Sequence, residues 1–241
     1  MEIIKKRITH YWSHRAEGFA EQRVREFNSG KRERWLKEFH RYLPEKKPLR
    51  ILDVGTGTGF FSFLLAAEGH QTTGIDLTAD MILQAEKTAA LLSLQAEFIQ
   101  MDAENPDFPS ESFDAIVTRN LTWTLPHIAK AYREWHRLLI PGGVLINFDA
   151  DYCTAAEAEE EIELPENHAH KLVPEYLHAE NDAITEELSA YQQPRPQWDV
   201  QLLVEAGFEQ IAVDMGVYKR IYAEIDEFYN PVPIFTIAAY K

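Results

Sequence analysis

Nine consecutive residues, Ile51-Leu52-Asp53-Val54-Gly55-Thr56-Gly57-Thr58-Gly59, narrow what this chain can fold into more than any other segment. Ile51, Leu52 and Val54 read as a short buried strand. It opens into three glycines spaced two apart, and then into a helical pattern over 60–68 that Gly69 ends. Glycines at such a point let the backbone turn tightly and let a ligand approach it closely. The same rhythm continues downstream. Residues 71–75, 96–100, 113–118 and 143–148 read as strands, and 78 to about 92 and 126–139 as helices. Thr78 is placed to cap the first of these helices through its hydroxyl. Strands alternating with helices imply βαβ units and a mostly parallel sheet.

The flanks read differently. Residues 8–27 and 31–43 carry helical patterns, with Trp35, Leu36, Phe39 and Leu43 on one face, before Pro44 and Pro48 break the chain. After Phe148 the pattern stops until about 196. A helix at about 197–206, ended by Gly207, and strands at about 209–217 and 233–240 follow. The patternless stretch is too long for a simple connection and reads as a lid or substrate-covering insertion. The expected organisation is an N-terminal helical arm or cap over 1–48 and a main domain over 49–241, which includes an acidic insertion over 151–195.

Two details of the glycine turn point to its ligand. The pattern is G-x-G-x-G, not the G-x-G-x-x-G that suits a pyrophosphate. Asp53 stands two positions before Gly55, where a carboxylate repels a pyrophosphate. It suits the α-ammonium of the methionine part of S-adenosylmethionine (SAM), directly or through water. Asp76 lies 17 residues past Gly59 at the end of the second strand, where a carboxylate can accept both hydroxyls of a ribose. A nicotinamide dinucleotide fits this set poorly.

The constellation resembles the class I SAM-dependent methyltransferase family, closely from Leu49 to Phe148 and more loosely in the last helix and two strands. The resemblance extends beyond the glycines. It takes in Gly74-Ile75-Asp76-Leu77 with Met81, Gln100-Met101-Asp102-Ala103-Glu104, Phe113-Asp114-Ala115-Ile116-Val117 and Leu138-Leu139-Ile140-Pro141-Gly142-Gly143. It implies a Rossmann-like three-layer α/β/α sandwich. The sheet would have seven mostly parallel strands ordered 3-2-1-4-5-7-6, with strand 7 antiparallel. It also implies a cofactor site. Asp53, Gly55, Thr56, Gly57 and Gly59 would form the turn against SAM or its product S-adenosylhomocysteine (SAH). Asp76, Leu77 and Met81 would meet the ribose and adenine. Asp102 would receive the adenine amino group while the Ala103 amide binds a ring nitrogen.

Arg119-Asn120-Leu121-Thr122-Trp123 follows the fourth strand, where the family backs the methionine part and faces the methyl acceptor. Members that methylate amino groups of adenine or glutamine carry Asn/Asp-Pro-Pro-Tyr there. Leu121 and Thr122 replace both prolines, which argues against a nucleobase acceptor. Asn120 has two readings, a contact to the bound groups or a brace for its own loop. Trp123 either stacks on a substrate or packs under the insertion. In the arm, Tyr11 and Trp12 are candidates to close over the cofactor, their rings excluding water and their polar tips bonding it. The alternative is a helix packed on the domain edge. His127, Asp149 and Tyr152 are candidates near the acceptor, and no catalytic base is assigned. Cys153 reads as a small buried residue rather than a nucleophile. His168, His170 and His178, with Glu166 or Glu175, show no recognised ligand spacing, so no metal is expected.

Charge bounds the partners. The net charge is -15, unevenly spread: residues 1–50 hold 14 Lys/Arg against 7 Asp/Glu, and the remainder 10 against 32. An acidic body repels phosphate backbones and argues against nucleic acid, though the basic arm weakens that argument. No apolar run reaches the length of a membrane span, and Met1 to Trp12 carry charges but no apolar h-region, so they are not expected to be a signal peptide. One cysteine rules out a disulfide within the chain and suits a reducing cytoplasm. The expected activity is methylation of a small-molecule acceptor. RNA or protein methylation would need a basic groove that only residues 1–50 could supply. A SAM-binding partner subunit without activity is the third reading, usually marked by a decayed glycine turn or ribose acid; neither is decayed here.

Overall fold

The computed structural model describes residues 2–153, 163–168, 171, 173–189 and 193–241. At its centre is one seven-stranded sheet. The strands are β1 (Arg50–Val54), β2 (Gln71–Asp76), β3 (Glu97–Gln100), β4 (Phe113–Arg119), β5 (Leu139–Ala150), β6 (Glu209–Asp214) and β7 (Ile234–Tyr240). Their order is β3-β2-β1-β4-β5-β7-β6. β1 to β5 are mutually parallel, and β7 runs antiparallel to both β5 and β6. Fold class, strand order and the antiparallel strand therefore agree with expectation. β1 and β4 are buried along nearly their whole length, which is why they read as continuous apolar runs.

Each face of the sheet carries its own core. On one side α2 (Lys31–Phe39) and α3 (Phe60–Ala67) pack aromatic edges onto β5. The Trp35 ring lies 5.1 Å from Phe61 and 5.2 Å from Phe148, all in T-shaped contact. On the other side α5 (Ile128–Leu138) and α7 (Gln197–Ala206) bury Tyr132, Trp135 and Leu203 against Ile116, Leu145 and Ile237. α4 (Ala79–Leu92) packs its inner residues Ile82, Ala85 and Ala89 into the first core.

The flanks depart from the sequence reading. The first helix, α1, runs from Glu2 to Phe27 rather than from 8, because Ile4, two turns before Tyr11, carries its buried face further toward the N-terminus. α2 stops at Phe39, and residues 40–43 continue as turns closed by bonds such as Leu43 N to Phe39 O at 2.9 Å. α5 starts at Ile128, two residues past Pro126. The patternless insertion holds a helix, α6 (Glu175–Ser189), whose buried Leu177, Ile184 and Leu188 share one face. Residues 215–217 do not extend β6. The Asp214 carboxylate accepts the Gly216 amide at 2.7 Å, ends the strand and opens α8 (Val217–Ile221). Thr78 does precede α4, but its hydroxyl makes no cap bond; Asp76 instead takes the Thr78 amide at 2.8 Å.

The arm and the insertion meet. Ile4 and Tyr11 of α1 form a small apolar cluster with Leu177, Ile184 and Leu188 of α6, flanked by Ile8, Trp12 and Trp123. At its edge Arg7 bonds Glu180 at 2.9 Å and Glu187 at 2.8 Å. The basic arm thus finds acids in its own chain. Lys5 reaches Asp102 at 2.7 Å, Arg25 reaches Glu227 at 2.8 Å and Lys31 reaches Asp226 at 3.0 Å.

Candidate active site

The carboxyl ends of β1, β2 and β4 open into a cavity of about 1350 Å³, roofed by α1 and α6 and walled on one side by the segment around α8. Open parallel sheets bind ligands at this end. The volume exceeds the several hundred Å³ usual for a small-ligand pocket.

The glycine turn forms the floor. Asp53, at 2% exposed, lines the cavity and keeps Oδ2 on three donors: Thr56 Oγ1 at 2.6 Å, the Ser62 amide at 2.9 Å and Ser62 Oγ at 2.8 Å. Burial outweighs these bonds and pushes its carboxyl up to about 6. Asp76 sits at the end of β2 and ties the turn to α4. Its Oδ2 accepts the Gly57 amide at 3.0 Å and its Oδ1 the Thr78 amide. Burial also raises its carboxyl above the usual range. Gly57, at φ +54, would bring a Cβ to 3.4 Å from Phe19 Cε1 of α1, so the roof lies directly over the turn. Gly59 stands apart from the cavity. It starts α3 at φ +93, where a Cβ would lie 2.5 Å from Phe63 Cζ, so its role is packing.

Tyr11, Gly55, Thr56, Leu77, Met81, Asp102, Ala103, Asn120, Trp123 and Tyr152 all line the cavity with Asp53, Gly57 and Asp76. The fold therefore gathers these sequence candidates around one space. Asn120 adopts a left-handed conformation at φ +51, and its buried Oδ1 has no partner among the described residues. Asp102 is already engaged, with Oδ1 on the Glu104 amide and Oδ2 on Lys5. Trp123 donates its indole N–H to Asn120 O at 3.2 Å and lies 5.0 Å from the Tyr152 ring. Tyr152 accepts a bond from Asn230 at 2.9 Å, and burial lifts its phenol above the usual range.

Besides Gly59, two candidates fall outside the cavity lining. His127 gives its amide to Glu104 at 2.6 Å where α5 begins, and Asp149 is fully buried beneath the floor. Asp149 takes Thr122 Oγ1 at 2.5 Å and the Trp123 amide at 3.2 Å, and pairs with buried Arg195 at 3.4 Å. It braces the loop that carries Trp123. His178 lines the cavity from α6, His168 bonds Tyr229 O at 2.7 Å, and His170 lies outside the described residues. Cys153 is held up at about 11 by burial, far from a reactive thiolate. Sequence reasoning missed Arg23 and Arg119, both in the wall, and the tyrosines of the α8 segment. Arg119 adjoins Asn120 in a quoted motif, but nothing local signals that it meets a residue 93 positions earlier.

Known proteins agree with this geometry. Residues 52–147 match the methyltransferase-domain family Methyltransf_11. The demethylmenaquinone methyltransferase of Thermus thermophilus is 34% identical over 115 residues, 47% of this chain and 52% of that protein. The phosphatidylethanolamine N-methyltransferase of Cereibacter sphaeroides is 34% identical over 99 residues, 40% of this chain and 48% of that protein. The chain thus spans about half the length of these curated relatives. Among solved structures, phosphoethanolamine N-methyltransferase 2 of Haemonchus contortus, in complex with SAM, superposes with a TM-score of 0.62. That match has 19% identity and covers 86% of this chain and 51% of the other. Sheet order, glycine turn and the match over residues 52–147 together resemble those of the class I SAM-dependent methyltransferases.

Proposed function

We propose that the protein transfers a methyl group from SAM to a small-molecule acceptor enclosed with it in the cavity. The observation that carries this reading is the cavity itself. One end is floored by Gly55–Gly57, Asp53 and Asp76, the other is walled by Trp123 and Tyr152, and helices of the same chain cover both. The residues fit SAM. A left-handed glycine leaves room for close approach, two carboxylates suit an ammonium and a ribose, and the unpartnered Asn120 Oδ1 offers an acceptor. Asp53 and Asn120 would hold the methionine part, Asp76 the ribose, and Met81 and Ala103 the adenine. Bound SAM supplies an already activated methyl group.

The chain's own task is therefore positioning and the exclusion of water. The Thr122–Asp149–Arg195 bonds fix the loop bearing Asn120 and Trp123. Tyr11, Trp12 and Phe19 of α1 close the cofactor end, and α6 closes from the insertion side. Macromolecular acceptors fit less well, because Lys5, Arg7, Arg23, Arg25 and Lys31 of the arm are engaged with carboxylates of the same chain. No helix among the described residues is long and apolar enough to cross a membrane. A reducing cytoplasm is the setting we propose for a chain with one unreactive thiol.

Calorimetric titration with SAH, with NADH as control, tests the cofactor. Micromolar binding of SAH alone is expected. Asp76→Ala should weaken it at least about a hundredfold, the loss of two charge-assisted bonds, while the protein stays folded by circular dichroism. Unchanged SAH affinity in that variant would remove the cofactor assignment.

A further inference from the structure

Glu26 on α1 is fully buried and serves two guanidiniums at once. Arg119 donates from Nη1 and Nη2 to its two oxygens at 3.3 and 3.2 Å, Arg23 donates to Oε2, and Trp35 adds an indole N–H at 3.0 Å. Among the described residues no other carboxylate pairs with either arginine, which leaves one positive charge of the cluster without a carboxylate partner among them. Burial opposes the ionisation of Glu26, but Arg119 and Arg23 outweigh it and hold the carboxyl down at about 2. Both arginines line the cavity, and the buried Arg119 Nε–H has no partner among the described residues. Their other faces lie on aromatic rings, Arg119 4.5 Å from Trp35 and Arg23 4.4 Å from Phe19. Opposite them Arg119 also donates to Tyr222 Oη at 3.1 Å, and the Tyr218 and Tyr229 hydroxyls are 2.6 Å apart. Asp182 and Glu186 line the cavity from α6, but neither pairs with these arginines. A nearly buried guanidinium pair that shares one carboxylate and faces a cavity is costly unless a second anion completes it.

We propose that Arg23 and Arg119 hold an anionic group of the methyl acceptor, a carboxylate or a phosphate. The acceptor body would lie among Tyr152, Tyr222 and Tyr229. The inference rests on the methyltransferase reading above and adds the acceptor's charge to it. The methionine carboxylate of the cofactor has the same chemistry, and the test separates the two sources.

Inorganic phosphate is titrated into the full chain saturated with SAH, with tryptophan fluorescence as readout. Saturable millimolar binding is expected in the loaded protein. Arg23→Gln should weaken it about tenfold or more and Arg23→Lys should restore most of it, a lost and a replaced charged donor. SAH affinity should stay within about twofold in both variants, as for an independent site. The wild-type arm needs no variant to fold: no saturable phosphate binding in the SAH-loaded protein overturns the proposal. So does competition between phosphate and SAH, or loss of SAH affinity in Arg23→Gln, because the occupant is then the cofactor's own carboxylate. If wild-type protein binds phosphate but not SAH, the methyltransferase reading and its acceptor fail, and only an anion site remains.

Discussion

Three donors converge on one oxygen of Asp53, yet burial still raises the carboxyl to about 6. A raised acid stabilises the ligand-free fold only while protonated. That contribution is complete below the unfolded value near 3.8, falls as pH rises and is gone once pH passes about 6. At neutral pH the charged Asp53 is therefore a liability of roughly 3 kcal/mol, from about two pKa units. We expect Asp53→Asn to raise the melting temperature of the ligand-free protein at pH 7.5 while weakening SAH binding, the usual trade at a binding site. Wild-type SAH affinity should be flat above about pH 7 and fall up to about tenfold per unit below 6. Asp76, raised in the same direction, should leave a shallower fall in the variant. Equal slopes in the two proteins, measured by calorimetry from pH 5 to 8, would free Asp53 of this role.

Between α1 and α6 two kinds of contact compete. The ion pairs of Arg7 are about a third exposed and are worth roughly 0–1 kcal/mol together. Ile184, buried against Ile4 and Leu188, is worth about 2–4 kcal/mol on truncation. If these helices form the lid, Ile184→Ala should speed SAH release about tenfold or more and open α6 to hydrogen exchange, while Arg7→Ala changes either by less than about fivefold. Equal effects would make the latch electrostatic. This seam also shows where sequence reading stops. β1 and β4 were legible because strands buried on both faces leave apolar runs, and β2 and β3 because Asp76 and Asp102 keep fixed places at strand ends after the glycine turn. α6 was not, since its apolar residues sit seven and four apart within an acidic run, and only the arm supplies the surface that buries them. Strand order came from a resemblance to a family, not from periodicity. The Glu26 cluster and the exclusion of His127 depend on tertiary placement alone.

At the scale of the molecule, Arg195 ties the end of β5 to α7. It is fully buried, bonds Asp199 at 2.6 and 2.8 Å, reaches Asp149 at 3.4 Å and donates to Thr122. Arg195→Met would leave both buried carboxylates without their cation, a loss of about 3–5 kcal/mol. That corresponds to a melting point lower by about 6–20 °C for a chain of this size. A drop of only about 2 °C would mean that water or a rearranged neighbour replaces the guanidinium. The roof has a consequence of another kind, in time. Its helix α1 is translated before the sheet, yet its side chains are held by residues made some two hundred positions later: Gln22 bonds Glu227 O and Arg25 pairs with Glu227. Contacts so distant in sequence form late. A ribosome-bound chain can assemble the glycine turn and its strands, but it cannot close a chamber over them, so ligand capture reports that synthesis has run through the α8 segment.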